Sequence, residues 1–125
     1  MKNISFPLRK TAAALTVAFS MLALGSHAQD TDKTLTGEVL DMACYMGHGA
    51  HGPGHMQCAK TCIKGGSPMG LLTSDGKVYL LVENHDKTDA YSEAKKYAGE
   101  QITVTGTVAE KGGLPGIIVN EVKKG

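Results

Sequence analysis

The residues able to bind a metal ion are concentrated in one short part of the chain. All three cysteines, three of the five histidines and four of the six methionines lie within residues 42–69. Cysteine and methionine also pack well in apolar cores. The histidines, however, fall in and beside the glycine-rich stretch 47–54, which can bury little. Core packing alone therefore does not explain this enrichment.

The spacing of the candidate ligands matches one face of a helix. Residues three and four positions apart share a helix face, and His55, Cys58 and Cys62 have that spacing. Residues 55–64 have the length of a short helix, and two glycines follow as a stop signal. Cys44 lies just after the first predicted strand and can fold back over this stripe.

Together these four residues would make a Cys3His site, a ligand set that suits tetrahedral Zn²⁺. Soft sulfur ligands also favour Cu(I), so the predicted ion is zinc or copper. Auxiliary ligands are expected from nearby residues: His48, His51 and Met46, with Met56 and Met69 as further sulfur donors. Asp41 is interpreted as a strand-end or turn carboxylate, with a hydrogen bond to a ligand histidine as the alternative.

The first 28 residues have the composition of a cleavable export signal. Lys2, Arg9 and Lys10 precede an apolar run over residues 11–24. Ser26 and Ala28 then place small residues where a signal peptidase reads them. The run is shorter than the ~20 residues of a membrane span, so cleavage after Ala28 is predicted in preference to an uncleaved anchor helix.

The mature chain would act in the periplasm or outside the cell, without a membrane span. Cleavage removes three of the 13 basic residues and none of the 12 acidic ones, which leaves a net charge of −2. A chain with no basic excess and few aromatic residues is not expected to bind nucleic acid. The expected partners are a metal ion and another periplasmic protein.

A disulfide is the competing interpretation of the cysteines. Exported proteins meet an oxidising compartment, and an odd number of cysteines leaves one thiol unpaired unless all three bind a metal. A bridge from Cys44 to Cys58 or Cys62 would connect the insert to the rest of the domain. A bridge between Cys58 and Cys62 would need unusually close Cβ atoms. Both interpretations stay open at this stage.

The elements that must position these residues form a small, mostly β domain. A flexible polar leader, 29–33, is predicted before a single domain, 34–125, with the metal or thiol insert at 42–69. Strands are predicted at 34–41, 69–73, 77–82, 101–108 and 117–122, with a helix at about 88–98 and a turn at 110–116. This order fits a five-stranded OB-like barrel, with a Cys/His helical insert after strand 1 and a helix between strands 3 and 4. An open α+β sheet fits the order less specifically.

The alternation of apolar and threonine residues in 101–108 is the clearest strand signal in the chain. It predicts that Ile102 and Val104 face the barrel core. Ile117 and Val119 are predicted to face the core from the last strand.

The cysteines belong to a longer pattern: Gly37-x-Val39-x-Asp41-x-x-Cys44, then His55, then Cys58-x-x-x-Cys62 and Gly65. It continues with Val78-Tyr79-x-Leu81 and with residues 99–106. This pattern resembles that of a family of small secreted bacterial proteins without an assigned activity, and it covers most of the mature chain. The resemblance implies the fold more than a function. The chain is also distantly similar to periplasmic OB-fold copper chaperones. Those bind through histidine and methionine and lack this cysteine set, so their ligands do not carry over.

The sequence therefore predicts a periplasmic binding protein for a thiophilic metal ion, acting as a carrier or sensor. The alternative is a disulfide-stapled OB-like module that binds a protein partner without metal. No catalytic residues are assigned, because no nucleophile and base come together outside the Cys/His set.

Overall fold

The computed structural model describes Asn3 and residues 31–125. The predicted export signal, 1–28, thus lies outside the described residues except for Asn3. The elements are, in chain order, β1 (Thr31–Asp41), α1 (Met42–His48), α2 (Met56–Lys64), β2 (Met69–Thr73), β3 (Val78–Glu83), α3 (Thr88–Lys96), β4 (Gln101–Lys111) and β5 (Leu114–Lys124). A 3-10 turn, Pro53–His55, leads directly into α2.

The five strands form a closed barrel in the order β1-β2-β3-β5-β4. Pairing of β1 with β4 closes the barrel, and β3 pairs with β5 in parallel whereas the other neighbours are antiparallel. α1 and α2 lie in the connection between β1 and β2, and α3 lies between β3 and β4. The predicted OB-like barrel with its helical insert is therefore confirmed.

The barrel core follows the alternation of side chains along the strands. Ile102, Val104, Ile117 and Val119 are fully buried, as predicted. Successive side chains of a strand point to opposite faces, so the threonines between them face outward. Thr36 and Thr103 form one such outward pair across β1 and β4, with their hydroxyl oxygens 2.9 Å apart.

The bounds of β1, β4 and β5 differ from the prediction. β1 begins at Thr31, because residues 31–33 pair with 106–108 of β4. The described part of the expected leader is therefore strand. The expected turn at 110–116 shrinks to Gly112 and Gly113, with φ of 59° and 79°. Glycine adopts positive φ without strain, and a two-residue turn of this kind matches the twist of the strands it joins.

The insert is held on the barrel by one face of α2 and by a glycine. Ala59 and Ile63 of α2 are buried against the core. Gly99 has a φ of 75°, and a Cβ there would lie 2.8 Å from Cα of Met56. Its N–H donates to the carbonyl of Val39 in β1 at 2.8 Å. The first turn of α2 can thus pack directly on backbone that is itself bonded to the barrel.

The helices are short. α1 contains 7 residues, and α2 and α3 contain 9 each. No helix in the described part of the chain is long and apolar enough to cross a membrane.

Candidate metal centre

The helix α1 carries Cys44 and was not predicted. Asp41, the last residue of β1, begins it: Oδ1 of Asp41 accepts a hydrogen bond from the N–H of Ala43 at 3.0 Å. An aspartate in this capping position satisfies an N–H group that has no partner within the helix. Gly49, with a φ of 67°, ends the helix in the left-handed conformation. The glycine-rich stretch 47–54 is therefore helix at its start and a 3-10 turn at its end.

The four predicted ligands come from three adjacent elements. Cys44 lies on α1, His55 ends the 3-10 turn, and Cys58 and Cys62 lie on α2. The ligand atoms of Cys44, His55 and Cys58 all lie within 4.8 Å of one another. The structure thus brings Cys44 beside His55 and Cys58, whereas Cys62 joins a separate group with Cys44 and Asp41.

The three sulfurs form a triangle. Sγ of Cys58 and Sγ of Cys62 are 4.0 Å apart, and Sγ of Cys44 lies within 4.8 Å of each. A tetrahedral zinc ion with Zn–S bonds of about 2.3 Å sets its sulfurs about 3.8 Å apart. Small movements of the side chains therefore suffice to bind an ion.

All three cysteines are free thiols. A disulfide requires an S–S distance of about 2.05 Å, and the pair Cys58 and Cys62 is well beyond it at 4.0 Å. The expected alternative, a bridge from Cys44 to either cysteine of α2, is not formed in the described residues, which include every cysteine of the chain.

Two polar side-chain atoms in this site are buried without a hydrogen-bond partner. They are Nε2 of His55 and Oδ2 of Asp41. Buried polar groups in proteins almost always have partners, and an unpartnered one costs about 1–3 kcal/mol. Within the described residues these two atoms are the only such cases among side chains that are not exposed, and both belong to residues with a ligand atom within 4.8 Å of cysteine sulfurs.

Asp41 is fully buried and belongs to a second group of candidate ligands. A carboxylate oxygen of Asp41 and the sulfurs of Cys44 and Cys62 all lie within 4.8 Å of one another. The hydroxyl of Ser67 donates to Oδ1, which also caps α1. The interpretation of Asp41 as a turn carboxylate is therefore correct. Asp41 also lies close to the thiols of Cys44 and Cys62. The alternative, a hydrogen bond from a ligand histidine to Asp41, is not formed among the described residues.

In the metal-free site, neighbouring groups raise the pKa of Cys44 and of Cys62. Interaction of its thiol with the carboxylate of Asp41, followed by burial, raises the pKa of Cys44 to about 12. A hydrogen bond with Cys58, followed by burial, raises the pKa of Cys62. Burial disfavours the charged form of Asp41, but hydrogen bonds, the first from Ser67, outweigh it and lower its pKa. A bound cation reverses this balance, because it stabilises the thiolates.

The expected auxiliary ligands are not members of either group. Met46 is 74% exposed, and His48 is exposed at the end of α1. Nδ1 of His51 lies 3.7 Å from Oε2 of Glu38, a residue of β1. A ligand role for these three residues stays a prediction. Met69 is fully buried in the core, which accounts for it without a metal.

Glu38 is a positioning residue that the sequence did not identify. It is largely buried, and its Oε1 accepts a hydrogen bond from the N–H of Gly52 at 2.6 Å. This contact ties the loop between α1 and the 3-10 turn to β1. His55 follows Gly52 by three residues, so we expect this contact to influence the position of the His55 ring.

The chain has no match among protein-family models, curated proteins or solved structures.

Proposed function

We propose that the protein binds a thiophilic metal ion, Zn²⁺ or Cu(I), and carries or senses it after export to the periplasm. The ligands in this proposal are Cys44, His55, Cys58 and Cys62. The observation that carries it is Nε2 of His55, which is buried and has no hydrogen-bond partner, on a ring that lies beside two cysteine sulfurs. A bound ion gives the imidazole a partner that the protein itself does not supply.

The contacts that hold the ligand residues in place favour a site that is already formed when the ion binds. Cys58 and Cys62 lie on a helix whose adjacent face packs into the core through Ala59 and Ile63. Cys44 lies on a helix capped at both ends. Ligands fixed by packing and capping lose little conformational entropy when they bind an ion.

The exposure of the ligands fits a carrier or sensor, in which the ion must be exchanged. Cys58 is exposed, whereas Cys44 and Cys62 are half-buried. An exposed thiolate can leave the ion first and be replaced by a ligand of a partner protein. A purely structural metal site is usually closed on all sides by its own chain.

Thiol titration of the purified mature protein, residues 29–125, tests the proposal. The reduced protein should present three reactive thiols, and equimolar Zn²⁺ or Cu(I) should protect them. The proposal fails if neither ion lowers the reactivity of any of the three thiols. An oxidised protein that shows one thiol and no affinity for metal would favour the disulfide-stapled interaction module instead.

His85→Ala provides the matched control, because His85 is an exposed histidine outside the insert. This variant should bind the ion as tightly as the parent, whereas His55→Ala should bind it more weakly. Metal analysis of protein purified from its own periplasm would then identify the ion.

A further inference from the structure

The two groups of candidate ligands share one residue, Cys44. One group joins Cys44 to His55 and Cys58, and the other joins Cys44 to Cys62 and Asp41. Each group supplies three ligands from the chain, which is the number that an open zinc site takes before water fills the fourth position. A cysteine sulfur shared in this way is placed to bridge two ions.

We propose, building on the metal-binding function above, that the site holds two zinc ions bridged by the sulfur of Cys44. His55 and Cys58 complete the protein ligands of the first ion. Cys62 and Asp41 complete those of the second. The remaining position on each ion is open to water.

The hydrogen bonds of Asp41 favour a direct role in binding. Its Oδ1 is occupied by the N–H of Ala43 and the hydroxyl of Ser67. Its Oδ2 is buried and has no hydrogen-bond partner. The cap thus fixes the orientation of the carboxylate, and Oδ2 is the oxygen left for an ion.

Charge balance favours two divalent ions over one. Three thiolates and the carboxylate of Asp41 carry four negative charges, and two Zn²⁺ ions bring four positive ones. A single Zn²⁺ bound by all three thiolates would leave two negative charges uncompensated beside a fully buried carboxylate. Uncompensated charge in such surroundings is costly.

The chemistry of the donors points to zinc for the second position. A carboxylate oxygen is a hard ligand that zinc accepts, whereas Cu(I) selects sulfur. Cu(I) would therefore bind only the three sulfurs. Binding of a second ion depends on Asp41, and zinc is the ion that accepts its oxygen.

Native mass spectrometry of the reduced mature protein, titrated with Zn²⁺, tests this inference. We expect two zinc ions on the parent and one on Asp41→Asn. Asparagine keeps an oxygen for Ala43 and Ser67 and is an equally good helix cap, so the metal-free variant should melt close to the parent. Cys62→Ser, which leaves the capping contacts intact, should also retain one ion. Asp86→Asn, at an exposed position outside the site, is the control and should retain two.

The outcomes separate this inference from the proposed function. One ion on the parent, or two on Asp41→Asn, would overturn the two-ion site and leave the metal-binding function standing. No zinc on the parent would overturn both. X-ray absorption of the doubly loaded protein should show a zinc neighbour at roughly 3.5 Å, and the absence of that neighbour would overturn the bridge.

Discussion

Ser67 binds the start of α1 and the end of α2 at the same time. Its hydroxyl donates to Oδ1 of Asp41, and its backbone N–H donates to the carbonyl of Cys62 at 3.0 Å. The residue thereby connects the carboxylate that begins one helix to the cysteine near the end of the other. The relative position of Cys44 and Cys62 depends on this connection.

Ser67→Ala should lower the free energy of unfolding of the metal-free protein by about 2 kcal/mol, since a hydrogen bond to a charged group is lost. The variant should also bind zinc more weakly, because Asp41 loses one of the contacts that orient it. Denaturant unfolding and a zinc titration measure the two effects. Ser74→Ala, in the exposed turn between β2 and β3, is the control. Equal effects of the two substitutions would contradict the role of Ser67.

Glu38→Ala should loosen the loop that leads to His55. The N–H of Gly52 then lacks its acceptor, so its amide hydrogen should exchange faster and affinity for the ion should fall. Glu38→Gln keeps an acceptor oxygen and should retain most of the protection and affinity. If both variants bind the ion as tightly as the parent, the contact at 2.6 Å does not position His55.

The raised pKa of Cys44 predicts slow alkylation of the metal-free protein. With its pKa held at about 12, mainly by interaction with the carboxylate of Asp41, little of the thiol is ionised at pH 8, and the thiolate is the reactive form. Asp41→Asn removes the charge, lowers the pKa and should speed alkylation of Cys44 by at least about tenfold. Peptide mapping after timed labelling measures this rate. An unchanged rate would show that Asp41 does not control the thiol.

The mature N-terminus is predicted to be Gln29. Expression of the full chain in a bacterium, followed by intact mass measurement of the protein in a periplasmic extract, checks this. The mass should correspond to residues 29–125. Recovery of residues 1–28 on protein from the membrane fraction would contradict both cleavage and the proposed location.

The barrel was predictable because its signals are local. Apolar residues alternate with threonine through β4, and the Ser74-Asp75-Gly76 turn separates β2 from β3. The stripe of His55, Cys58 and Cys62 was predictable for the same reason, since a helix fixes the spacing of its own side chains.

The rest of the site depends on contacts between residues distant in the chain. Glu38 and Gly52 are 14 residues apart, and Asp41 and Ser67 are 26 apart, so no periodicity relates either pair. The helix α1 is short and has no buried residues, so it leaves no apolar stripe in the sequence. Its capping aspartate and terminal glycine were the signals that could have identified it.

The affinity of Cys58→Ser for the ion, compared with that of His48→Ala, tests the central claim most directly. Competition with a chromophoric chelator, run from pH 6 to pH 8, measures the affinity of each variant. Cys58→Ser should weaken binding by more than about 100-fold, because it removes a ligand and not merely a supporting contact. His48→Ala should change affinity by less than about threefold, since His48 is exposed at the end of α1 and belongs to neither ligand group. Affinity of the parent should fall as the pH falls, since thiols and imidazole bind metal only when deprotonated. If Cys58→Ser binds as tightly as the parent while His48→Ala does not, the ligands lie in the glycine-rich stretch 47–54 and the account is wrong.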